Sequence, residues 1–156
     1  MSGVTLKVNS SKSKLPKIKA ALQGHEVVAG ILRTAGKHSS GENVAQIAAY
    51  NEFGTPKIPE RPAFRASFHK NRAKYQKELA KIAKSGLKGN RITPMDFNHL
   101  GREAVNDIER SIVAGSWTPN AESTQLKKGR GKQLINDPWI DTGQTLNSVD
   151  FRVDKS

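Results

Sequence analysis

The chain has no cysteine among its 156 residues. That excludes disulfides, thiolate nucleophiles and thiolate metal sites, and it fits a protein made in a reducing cytoplasm. Acids are scarce, with 14 Asp and Glu against 26 Lys and Arg, so clustered carboxylates for acid–base or metal chemistry have little to draw on. No apolar run approaches the roughly 18 residues that a membrane span needs, and mean hydropathy is −0.61. The opening MSGVTLKVNSSKSKL lacks the apolar stretch of a signal peptide, so no membrane partner is expected. Hydrophobic residues make up 35% of the chain, which allows one domain over residues 1–156 with a modest core.

What the chain has in excess is positive charge, +12 net. Such an excess serves solubility, or it meets a polyanionic neighbour, either DNA or an acidic protein surface. Phosphate contacts position a protein without reading sequence.

Val4, Leu6 and Val8 alternate with polar residues and predict a first strand. Leu15, Ile18 and Leu22 predict a short amphipathic helix, with Lys12, Lys14, Lys17 and Lys19 facing solvent. Residues 25–33 read as a second strand, antiparallel to the first or to a later one. The polar loop over 35–41 is expected to be mobile. A helix over 42–53 would turn Val44, Ile47, Ala48 and Phe53 to a core.

From Pro62 to about Leu87 a long helix carries Phe64, Phe68, Tyr75, Leu79 and Ile82 in one stripe. Its other face holds Lys70, Arg72, Lys74, Lys77, Lys81 and Lys84 against Glu78 alone, and reads as a solvated face. Thr93-Pro94-Met95-Asp96 opens a third helix with Thr93 as N-cap. Its stripe is Phe97, Leu100, Ala104, Ile108 and Ile112, and Gly115 ends it. The polar, breaker-rich segment after it, 116–139, is too long for an ordinary connection. It is expected to be mobile, or ordered by a partner. Asp141-Thr142-Gly143 sets a turn or cap. Val149, Phe151 and Val153 then alternate as a closing strand. The sum is an α+β fold, a small and mainly antiparallel sheet covered by two or three longer helices, with a long C-terminal loop before the last strand.

The stretch IAAYNEFGTPKIPERPAFRASF, residues 47–68, organises the rest. Gly54 closes one helix, Pro56 and Pro59 force extended backbone before them, and Arg61-Pro62 opens the next helix. Phe53, Ile58 and Phe64 are presented from this elbow, and Glu52 and Glu60 with Arg61 and Arg65 read as an ion-pair frame. The segment resembles one shared by small head–tail connection proteins of tailed bacteriophages, the tail-completion or virion-morphogenesis group with its minor tail and neck relatives. There an EFGT step precedes a PxRPF step.

A second similarity follows in the expected order: Trp117-Thr118-Pro119, Ser123-Thr124, Lys127-Lys128-Gly129, Leu134-Ile135, then Ile140-Asp141-Thr142-Gly143-Gln144, Leu146 and Ser148. It departs from the family pattern by the inserted Asn136-Asp137-Pro138-Trp139 and by Thr145 before Leu146. The resemblance implies a virion component at the neck or tail top, assembled in the host cytoplasm. It also implies a homo-oligomeric, hexameric ring, with neighbouring neck and tail proteins as partners. Glu52, Phe53, Ile58, Arg61, Phe64, Arg65, Trp117 and Trp139 are the candidate subunit or partner contacts. The two tryptophans serve either as protein–protein anchors or to fold their loop back onto the domain. Lys127, Lys128, Arg130 and Lys132 are candidates for non-specific contact with DNA in the lumen or with an acidic surface. The alternative is a basic nucleic-acid-binding protein outside the virion.

No catalytic constellation stands out. His25, His38, His69 and His99 lie in four different elements without ligand spacing. Gly129-Arg130-Gly131-Lys132 lacks the upstream Gly and the following Ser or Thr of a phosphate loop. Neither enzyme activity nor any cofactor is expected.

Overall fold

The computed structural model describes residues 25–32, 35–38, 41–140 and 143–154. The strand expected at Val4–Val8 and the helix expected around Leu15–Leu22 lie outside the described residues. The elements are β1 (Glu26–Ile31), α1 (Val44–Phe53), α2 (Ala63–Leu87), a 3₁₀ turn (Pro94–Phe97), α3 (Asn98–Ala114), α4 (Glu122–Lys128), α5 (Gln144–Asn147) and β2 (Val149–Asp154). The fold is α+β, a two-stranded antiparallel sheet with helices packed against it.

The sheet joins distant parts of the chain. β1 pairs with β2 from Glu26↔Asp154 to Ile31↔Val149. The register sets Val27 opposite Val153, Ala29 opposite Phe151 and Ile31 opposite Val149. Residues two apart on a strand share a face, so Val27, Ala29, Ile31, Val149, Phe151 and Val153 fall on one side, and Val28 falls on the other with Arg152.

α3 is the spine against which that side packs. Leu100 and Ala104, in its first half, form a cluster with Tyr75 of α2, flanked by Val27, Ala29, Phe68 and Leu79. Ile108 and Ile112, in its second half, meet Ala48 of α1, Ala63 of α2, Trp139 and Val149. The periodic stripe expected on this helix is therefore its buried face. Gly101 lets the sheet come close, since a Cβ there would lie 2.0 Å from the Phe151 ring.

α2 and α3 form an antiparallel hairpin. Ser111 Oγ donates to Ala63 O at 2.8 Å at one end. Tyr75 Oη donates to Asp107 Oδ2 at 2.9 Å farther along, and Lys74 bridges Asp107 and Glu103. The 3₁₀ turn leads into α3, with the Thr93 N–H and hydroxyl both donating to Asp96 Oδ2, at 2.7 and 2.8 Å.

Two expectations, on Phe53 and on the start of the third helix, are corrected. Phe53 does not face the core but is 64% exposed, because the last turn of α1 buries Glu52 instead. The segment 116–139 contains helix α4 and is held to the body by hydrogen bonds and by the buried Trp139. The third helix starts as a 3₁₀ turn, becoming α-helical at Asn98.

Candidate functional site

The elbow between α1 and α2 is densely hydrogen-bonded. Gly54, directly after α1, has φ 72° and ψ 171°, a backbone region essentially reserved for glycine. Thr55 then turns the chain back within four residues. Its N–H donates to Ile58 O at 2.8 Å, and Ile58 N–H donates to Thr55 O and Oγ1. The sharp turn brings the end of α1 against the start of α2.

Glu52 occupies the junction. Its carboxylate accepts from the Phe64 N–H at 3.0 Å and the Arg65 N–H at 2.9 Å. These are first-turn amides of α2 that have no partner within the helix, and a negative charge there also complements the helix dipole. Arg65 closes the frame from outside, with Nε 3.1 Å from Glu52 and Nη2 2.5 Å from Glu60. Hydrogen bonds to Glu52 and then to Glu60 hold its guanidinium above its ordinary pKa. The same guanidinium lies 4.9 Å over the exposed Phe53 ring.

Arg61 takes no part in an ion pair among the described residues. Only 2% exposed, it sends Nε to Thr118 O at 2.7 Å, Nη1 to Asn51 Oδ1 at 2.9 Å, and Nη2 to Pro119 O at 3.0 Å and Asn120 Oδ1 at 3.2 Å. Desolvation by burial lowers its pKa, yet a guanidinium stays charged in proteins. A buried cation is thus solvated by neutral oxygens, two of them main-chain carbonyls 57 and 58 residues downstream.

The downstream segment is fastened elsewhere too. Trp117 folds back on α3, its Nε1 donating to Ile112 O at 3.1 Å. Trp139 is 4% exposed and sits edge-on to Phe64, ring centroids 5.6 Å apart. Lys128 donates to Asp137 O and Ile140 O, each at 2.6 Å. Beside this assembly a cleft of about 230 Å³ opens, walled by Tyr50, Ile58, Trp139 and Gln144 among others.

The structure thus divides the candidates read from the sequence. Glu52, Arg61 and Trp139 are buried and spent inside the chain, so they are not contact surface, and Phe64 and Trp117 are half-buried against the core. Phe53 and Arg65 remain exposed on the elbow, with Ile58 half-buried beside them. Of the basic loop, Lys128 is half-buried and bonded within the chain. Lys127, Arg130 and Lys132 are exposed. The expected ion-pair frame exists around Arg65, while Arg61 bonds elsewhere. Asn51 and Asn120 were missed, and no spacing in the sequence connects either with Arg61.

Among the described residues no three His, Asp or Glu side chains converge to hold a metal ion, and no helix is long and apolar enough to cross a membrane. Comparison with known protein families, curated proteins and solved structures gives no significant match.

Proposed function

We propose that this chain is a structural subunit of a tailed-bacteriophage virion, a ring-forming protein that completes the tail or joins head to tail at the neck. The observation that carries this reading is that the two stretches bearing the phage-like pattern meet in space. Arg61, from the RP step of the first, is bonded to the carbonyls of Thr118 and Pro119, from the WTP step of the second. Phe64 of the first also lies against Trp139, one of the four residues inserted into the second. The bonded pair Arg61 and Thr118 stand 57 residues apart in the chain.

On this reading the interlocked residues are the frame, and function lies in what the frame presents. Phe53, stacked under Arg65 and 64% exposed, stands at the elbow tip as a contact for a neighbouring copy. Six copies in head-to-tail contact close into a ring by rotation alone. Its partners are the neck and tail proteins above and below, and its place is the finished particle.

The test is electron microscopy of particles from the parent phage with this gene silenced. Filled heads and finished tails lying unjoined, or joined particles that do not infect, are expected. Tails of uncontrolled length would move the chain to tail termination. Normal infectious virions would overturn the structural reading.

A further inference from the structure

α2 carries a second surface that the elbow does not use. Lys70, Lys77, Lys81, Lys84 and Lys88 follow one another at spacings of seven, four, three and four. At about 100° per residue these positions fall within a sector of about 60° on one side of the helix, along about 27 Å of its axis. Lys88 lies just past the last helical residue, but its N–H still bonds to the carbonyls of Lys84 and Ser85, so the turn continues through it. All five side chains are exposed.

The row is left positive by its surroundings. Lys81 pairs with Glu78 at 2.6 Å. Lys70, Lys77, Lys84 and Lys88 make no ion pair among the described residues. The nearest acids of α3, Glu103 and Asp107, are engaged by Lys74, and α2 has no acid besides Glu78. A helix face meant only for water is usually laced with opposite charges at i,i+4, whereas like charges at that spacing oppose the helix. The helix dipole favours Lys84 and Lys88 near the C-terminal end but gives no reason for Lys70 and Lys77.

We propose that this row is a track for the phosphate backbone of duplex DNA, gripped without regard to sequence. Duplex DNA carries one charge per about 1.7 Å of axis, so about 16 phosphates lie along a row of this length. Beside the row stand Ala73 and Ala80 on one edge and Lys74 and Ser85 on the other. Leu87, beside Lys88 at the C-terminal end, is the one large apolar side chain exposed on α2, too little to seed a protein interface along the row, and the row carries no aromatic ring on which the bases of a single strand would stack. Lysines offer point charges to phosphates rather than the planar forks that read base edges. This assignment does not rest on the virion reading and can hold or fail without it.

The test is binding of the full chain to a fluorescein-labelled 30-base-pair duplex of mixed sequence, by anisotropy, between 50 and 200 mM salt. Three exposed, unpaired lysines are replaced together (Lys70→Gln, Lys77→Gln, Lys84→Gln), with circular dichroism as a check on folding. Should the triple variant unfold, Lys77→Gln alone is read at the same salts. The wild type should show a steep salt slope. The triple variant should lose about 2.7 from that slope, which is about 40-fold less salt sensitivity across the range, and Lys77→Gln about a third of that. A loop variant (Lys127→Gln, Arg130→Gln, Lys132→Gln) should keep most of the wild-type slope. The proposal is overturned if the duplex does not bind, or if the loop variant rather than the stripe variant loses the slope. Tighter binding of single-stranded DNA, or equal competition by polyglutamate, would also overturn it, the latter in favour of an acidic protein partner.

Discussion

Arg61 illustrates how one side chain can organise a chain. Its four side-chain bonds reach two segments, Asn51 10 residues upstream and Thr118-Pro119-Asn120 57 to 59 residues downstream, and the planar fork of the guanidinium is what lets one residue face both. Arg61→Ala would leave two part-buried carbonyls and two amide oxygens short of a donor, at a cost of about 1–3 kcal/mol. Arg61→Lys keeps the charge but offers a single point of donation, so its stability in urea should lie nearer to that of the alanine variant than to the wild type. Nearly wild-type stability of Arg61→Lys would show that charge, not the fork, holds the segment. From the sequence, Arg61 reads as one half of an ion pair, because two glutamates stand close by in the chain. Its true acceptors are main-chain carbonyls and asparagines, which carry no signature in sequence.

At the scale of elements, the α2–α3 contact contains a titratable device. Burial, and then the hydrogen bond to Asp107, push the Tyr75 phenol well above its ordinary value. Lys74 is pulled down by desolvation, but its hydrogen bonds to Asp107 and Glu103 outweigh this and leave it raised. Both groups hold their protons more tightly in the folded chain. Their contribution is therefore complete below their unfolded values near about 10, and it is lost as pH rises above them. At pH 7, Tyr75→Phe should cost about 1–2 kcal/mol, since Asp107 loses a buried donor. Above about pH 10 the wild type should lose stability faster than the variant, as read by urea unfolding across pH. Parallel curves would remove Tyr75 from the device.

The long helices were legible. α2 and α3 obey the 3.6-residue period over many turns, and Gly54, Pro62, Thr93 and Gly115 punctuate them. Three things were not legible. The burial of Glu52 in place of Phe53 depends on an orphan helix end that only tertiary structure presents to it. The docking of 116–139 depends on Arg61 and Trp139 rather than on any periodicity. Gly101 is an unfavourable helix residue whose reason, the Phe151 ring, lies 50 residues away.

At the scale of the whole molecule, the proposed ring makes a claim about mass. Light scattering of the purified chain should give a species about six times the 17.1 kDa of one copy. Phe53→Asp, which alters an exposed ring without touching the core, should shift it towards one copy. A strictly monomeric wild type would leave the elbow without its proposed neighbour. The sheet carries a further consequence, one of timing. β1 has no partner among the described residues but β2, and Ile31 pairs with Val149. At synthesis rates of about 5–20 residues per second, the first strand therefore waits about 6–24 s for its mate. Any change that slows translation of the last third lengthens that wait, and so delays the pairing of β1 with β2.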